Sequence, residues 1–253
     1  MARTGARFGR RARPRVETMK HSDQRFRLRE RVAALAARRM IEGGETAESA
    51  KHKAASEILG DASRARAFLP ADEELGDALR AHLRCFGGSA HARWLRQRRR
   101  QALGWMERLQ RFEPRLTGSL LDASATPDMP VELELFADSA KDVEATLLDL
   151  GVDFRVDPRS GQRRHVHEVI GFVDPEAPPG PTPAPRGLRG TAFLLTVREL
   201  VALRTSTARC RGPDDPRLHP IERAGAADAT MLRQLIAETD EPADGQPAQS
   251  GPR

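Results

Sequence analysis

The chain changes its hydrophobic period once, at Pro114. Before that residue, apolar positions recur every three or four residues, the spacing of helices with one buried face. Leu28, Val32, Leu35 and Met40 predict a helix from Asp23 to about Glu42, and Gly43-Gly44 ends it. A second helix is expected from Thr46 to Leu59, closed by Gly60. Pro70 opens a third, with Asp72, Glu73 and Glu74 in the first turn, where they complement the helix dipole. It runs to about Phe86 and breaks at Gly87-Gly88. The fourth and longest, about Ala90 to Phe112, has Leu95, Ala102, Met106 and Leu109 on its seam. Trp94 and Trp105, three turns apart, share one of its faces.

After Pro114 the period is two. Arg115–Leu121 is a strand candidate, 122–130 a loop, and Val131–Ala137 a second strand. Alternation puts Glu132 and Glu134 on one face of that strand and Val131, Leu133 and Leu135 on the other. Ser139-x-x-Asp142 is a capping box. It starts a helix with Val143, Leu147 and Leu150 on one side, stopped by Gly151. Further strands are expected over 152–156, 164–172 and 191–197, and a last helix over 226–238. The fold class is therefore α+β: a helical N-terminal half followed by a small mixed β-sheet. The organisation expected is a basic disordered tail over 1–21, a helical region over 22–112, an α/β region over 113–237, and a disordered tail over 238–253. The proline-rich stretch 174–190 interrupts the α/β region as an excursion between strands.

Charge changes this picture at one end only. Residues 1–53 carry a net charge of +9, and the remaining residues a net of −3. A basic front on a near-neutral body attracts nucleic acid or acidic lipid. Only four of the 42 basic residues are lysine, so codon bias in a GC-rich bacterial genome is an alternative source of the arginines. Met19 is a plausible alternative start to Met1, and no apolar segment follows Arg10-Arg11 to make an export signal. No run approaches the length of a membrane span. Cys85 and Cys210 lie apart with no metal-type spacing, which points to free thiols in a reducing, cytoplasmic setting. Arg93, Arg96, Arg98, Arg99 and Arg100 crowd the first half of the fourth helix. Beside Trp94 they are candidates for a nucleic-acid backbone with base stacking, or else a solvated helix face. His165-x-His167 puts two imidazoles on one strand face, short of the ligand count of a metal site. His52, His82, His91 and His219 read as surface residues.

The chemistry-bearing pattern is Gly118-Ser119, a gap of twelve residues, then Glu132-x-Glu134 in an apolar strand. With the helix-strand-strand-helix order around it, this resembles the nucleotidyltransferase-fold, polymerase-beta-like superfamily. More narrowly, Arg115–Leu121, Leu135–Ser139 and Pro220–Ala224 resemble poorly characterised bacterial proteins with a helical front on such a core. The resemblance implies that Gly118-Ser119 meets the phosphates of a nucleoside triphosphate. It implies that Glu132 and Glu134 hold Mg²⁺ for transfer of a nucleotidyl group to an acceptor hydroxyl. The chain departs from the pattern in three places. Glu stands where Asp is usual, Met129-Pro130 falls on the narrower group's Ser-Asp position, and the strand 191–197 has no third carboxylate. Glu168 and Glu199 are the possible substitutes. Two functions stay open: a nucleotidyltransferase using Mg²⁺ and a nucleoside triphosphate, or an inactive module binding RNA or a protein partner through arginine-rich helices. No Walker A sequence or dinucleotide fingerprint is present.

Overall fold

A computed structural model describes residues 15–158, 165–175, 190–203 and 212–240. The helical half has a long α1 (Arg15–Gly43), α2 (Ala47–Leu59), a short α3 (Ala62–Ala65) continued by a 3₁₀ turn (Arg66–Phe68), α4 (Asp72–Phe86) and α5 (Gly88–Arg108). The helix expected from Asp23 begins earlier, at Arg15, so the expected basic tail includes its first turns. Thr46 caps α2, its side chain accepting from the Ser49 backbone N–H. Gly60 closes that helix in the left-handed conformation its sequence predicts. At α4 the Glu74 carboxylate accepts from the Ala71 N–H, 2.7 Å away.

The second half is a six-stranded mixed sheet: β1 (Arg115–Thr117), β2 (Val131–Ala137), β3 (Phe154–Val156), β4 (Val166–Asp174), β5 (Thr191–Glu199) and β6 (Ala226–Ala227), in the order β3-β4-β5-β2-β1-β6. A helical turn, α6 (Gly118–Leu121), follows β1; α7 (Ala140–Asp149) follows β2, and α8 (Ala229–Asp240) ends the described chain. Only β2 and β5 are parallel; the other neighbours are antiparallel. A parallel pair needs a crossover, and α7 with the β3–β4 hairpin forms it.

Several expected elements are corrected. The strand expected over 115–121 stops at Thr117, because Gly118 turns the chain into α6. Ala226 and Ala227, expected to open the last helix, instead pair with Thr117 and Leu116 as an edge strand. The last helix runs to Asp240, beyond the expected boundary at 237. Asp174, expected in the proline-rich excursion, is a buried end of β4 that accepts from the Trp105 indole N–H at 2.7 Å. Residues 176–189 of that excursion, Cys210 and the two terminal tails outside 15–240 lie outside the described residues.

Two apolar clusters meet near Gly87-Gly88. The first joins Val32, Ala36 and Met40 of α1 to Ala50 and Ala54 of α2 and Leu75 and Leu79 of α4. The second holds the sheet: Leu133 and Leu135 of β2 stand in register with Leu195 and Val197 of β5, all buried. Helix α5 belongs to this second cluster, since Trp105 packs on Phe172 and Phe193 with ring centroids 4.6 and 5.7 Å away. Among the described residues no helix is long and apolar enough to cross a membrane.

Leu135 is fully buried, while Leu148 on the outside of α7 is 65% exposed. Leu135→Ala should therefore cost about 2–5 kcal/mol. Leu148→Ala should stay within about 0.5 kcal/mol. Urea denaturation of the two variants checks the contrast.

Candidate functional site

The site begins where β1 ends. Thr117 pairs with Glu132 across the antiparallel ladder, and Arg115 with Glu134. Gly118 then takes φ +69°, a conformation that disfavours any side chain. A Cβ built on Gly118 would stand 2.7 Å from Oε2 of Glu132. Glycine is therefore favoured by the turn, while a Cβ would press only on the end of the flexible Glu132 side chain, which can swing aside. The sequence-predicted Gly118, Ser119, Glu132 and Glu134 are thus brought to one corner, with both carboxylates on the sheet face opposite the buried one.

The two glutamates have different surroundings. Glu134 is ion-paired to Arg198 of the neighbouring parallel strand at 2.5 Å. Glu132 has no hydrogen-bond or ion-pair partner among the described residues. Burial, and then the negative charge of Asp122, push its carboxyl above the ordinary carboxylate range. Asp122 is itself raised by burial. Its Oδ1 accepts from Ser124 N–H and Oγ at 2.9 and 2.6 Å, and its Oδ2 lies 3.1 Å from Arg80. Ser119 gives its carbonyl to the N–H groups of Ser124 and Ala125, and among the described residues its hydroxyl has no hydrogen-bond partner.

Arg99 fixes this corner from below. It is 1% exposed and donates to the carbonyls of Leu120 and Leu121 at 3.1 and 2.9 Å, and to Glu222 at 2.8 Å. Glu222, within the stretch Pro220–Ala224, also accepts from the His219 N–H at 2.9 Å. The expectation that Arg99 meets a nucleic-acid backbone is corrected: it is sealed inside the fold. Arg98 is buried as well, over the Trp94 ring. Arg96 donates to the Thr239 carbonyl at 2.9 Å; Arg93 and Arg100 are exposed. The run is therefore neither a solvated face nor one nucleic-acid surface. His91, expected at the surface, is half-buried against Trp94.

A cleft of about 670 Å³ opens between the helical half and the corner. Gly76, Asp77 and Arg80 of α4 form one wall, Gly118, Leu121 and Asp122 the second, and the 212–225 segment the third. Ser119, Glu132 and Glu134 do not line it, although Glu132 lies just behind Gly118.

The residues do not fit a two-metal site of the kind the resemblance implies. Leu194 and Thr196 of β5 are in register with Glu132 and Glu134, where a third carboxylate would be wanted, and Arg198 neutralises Glu134. Of the two proposed substitutes, Glu199 is paired with His165 at 2.8 Å, and the Glu168 carboxyl is raised by burial and by its neighbour Glu144. His165 precedes β4 at φ +60°, and a bulge follows Val166, so His165 and His167 are not a regular strand pair. Among the described residues, no group of three His, Cys, Asp or Glu side chains could hold a metal ion. Sequence reasoning missed Arg80, Asp122, Arg198 and Glu222. Only Arg198 had a local signal, lying one residue beyond the expected strand in phase with Leu194 and Thr196.

No protein-family model, curated protein or solved structure matches the chain.

Gly118→Ala should destabilise the protein by at least about 1–2 kcal/mol from the left-handed backbone alone. Adding Glu132→Ala should recover only the part caused by the close contact, which a double-mutant cycle in denaturant measures. Glu132→Gln should stabilise the fold at neutral pH. A carboxyl whose folded pKa is raised favours the folded state below its unfolded value near 4.5, and loses that contribution as pH rises through the folded value. The gap between variant and wild type should therefore widen as the pH is raised from 4 to 7 in parallel melts.

Proposed function

We propose that this chain is a non-catalytic binding module on a nucleotidyltransferase-like core. The core reading is supported by the order of parts: a Gly-Ser turn after a strand, an antiparallel acidic strand, a capped helix, and a parallel neighbour. The observation that carries the non-catalytic reading is the Arg198–Glu134 ion pair. A guanidinium placed on the second carboxylate opposes the two-cation arrangement that phosphoryl chemistry uses. Displacing it would leave a partly buried charge without its partner. The cleft adds to this. Asp72, Glu73, Asp77, Asp122 and Asp214 line it against Arg80 and Arg223, so its field repels a triphosphate.

Nucleotidyl transfer is the second reading. What favours it is Glu132, which has no hydrogen-bond or ion-pair partner among the described residues and lies against Gly118. Calorimetry separates the two. Titrating ATP with Mg²⁺ into the wild type should give no metal-dependent heat. Metal-dependent binding that disappears in Glu132→Gln would overturn the module and restore the enzyme. In that case Mg²⁺ and the triphosphate would be its cofactor and substrate.

A further inference from the structure

We infer that His219 is a pH-sensitive latch on one wall of the cleft: neutral, it holds the turn over 219–224, and on taking a second ring proton it lets that turn go. This gives the binding-module site a regulation and rests on that reading. His219, expected at the surface, has a side chain only 25% exposed, and both ring nitrogens are engaged. Nδ1 accepts from the Ile221 backbone N–H, 3.2 Å away. A backbone amide N–H only donates, so Nδ1 carries no proton. Nε2 stands 2.6 Å from Oε2 of Glu238, in the last turn of α8. Hydrogen bonds from Gln234, and then from His219, hold the Glu238 carboxyl below its ordinary range. An ionised carboxylate only accepts, so Nε2 carries the one ring proton. One form of the ring alone makes both bonds, the neutral Nε2–H tautomer.

The turn beside this ring is a wall of the cleft. The His219 N–H donates to Oε2 of Glu222 at 2.9 Å, and Oε1 of the same carboxylate takes Arg99 at 2.8 Å. The His219 and Ile221 carbonyls accept from the Arg223 and Ala224 N–H groups at 3.2 and 3.1 Å. Arg223 and Gly225, at the end of the turn, line the cleft.

Protonation removes one contact and spares the other. An imidazolium donates from both nitrogens. Its Nδ1–H would face the Ile221 N–H, two donors with no acceptor between them, so that bond is lost. The Glu238 contact becomes an ion pair and strengthens. Helix α8 therefore keeps the ring while the turn is released. The other charged groups of the surroundings are already engaged or lie on the segment itself. Helix α5 brings Arg99, held by Glu222, and Arg96, on the Thr239 carbonyl. The segment carries Asp215, paired with Arg217 and Arg84, and the exposed Arg223. None of these replaces the acceptor that the Ile221 N–H loses.

The test is NMR on the full chain, without nucleotide or Mg²⁺, between about pH 8 and pH 5, the range in which histidine ordinarily changes charge. At the upper end the His219 ring nitrogens should report Nε2 protonated and Nδ1 bare. As the ring takes its second proton, hydrogen-exchange protection of the Ile221 amide, corrected for the intrinsic rate, should fall at least about tenfold. The Arg223 and Ala224 amides should lose protection with it, while the Leu135 amide in β2 keeps its own. In His219→Asn the side-chain oxygen takes the place of Nδ1 and does not titrate, so Ile221 should stay protected at both ends of the range. His219→Gln reaches toward Glu238 and leaves the Ile221 N–H without its acceptor, so protection should be low at both ends. A proton on Nδ1 at the upper pH would overturn the inference. So would Ile221 protection that is unchanged through the titration of the ring, or a pH response that persists in His219→Asn. The wild-type titration decides the matter even where a variant does not fold. Metal-dependent nucleotide binding would sink the non-catalytic reading and leave these signals as they are.

Discussion

The corner that carries the site depends on one buried cation. Arg99 enters from α5, takes the last two carbonyls of the helical turn after Gly118, and closes on Glu222. Those carbonyls belong to a turn too short to satisfy them by its own hydrogen bonds. A fixed guanidinium supplies two donors to one edge of the turn and a charge for the carboxylate beyond it. Removing Arg99 alone would leave Glu222 buried without its counter-ion, a loss that generally exceeds what the pair itself contributes. Three segments far apart in the chain thus share one side chain. Helix α5 is the spine of the α/β half for this reason as well as for Trp105, which covers the sheet.

Arg80 acts from the opposite side. It reaches from α4 to Asp122 across the cleft, so the helical half grips the same turn that Arg99 grips from within. The two apolar clusters share little packing, and charged groups do much of the joining between them: Arg80 with Asp122, and Arg84 with Asp215. Each pair holds a buried group, Arg80 at 3% and Asp215 at 8% exposure, so removing one partner would leave a buried charge unmatched.

The change of period at Pro114 made the two halves legible, and alternation within β2 puts Glu132 and Glu134 on one face. What was not legible has physical reasons. Arg99 stands in a run of five nearby arginines, and charge led to a surface assignment. Yet Leu95, Arg99, Ala102 and Met106 follow the three-four spacing of a single seam, and a cation in a seam position is a sign of burial with a partner. Ala226-Ala227 is too short for any period; its strand exists because β1 offers an unpaired edge. Arg198 was missed by one residue, where the expected strand ended at Val197. Its pairing with Glu134 depends on the parallel register of β2 with β5, which alternation within one strand cannot reveal.

The contrast between the two glutamates is the last step. Both sit on the same face of β2, two residues apart, yet Glu134 is neutralised and Glu132 is not. A carboxylate without hydrogen bonds among the described residues, beside a second raised carboxyl at Asp122, opposes folding rather than favouring it. Its neighbour Gly118 also carries a cost in backbone freedom. Stability alone therefore explains neither residue, and the two are in contact, a Cβ at 118 standing 2.7 Å from the Glu132 carboxylate. The Gly-Ser end and the acidic end of the sequence pattern are thus one contact in the folded chain. That contact holds a carboxyl with no ion-pair partner among the described residues, two residues from one that Arg198 neutralises.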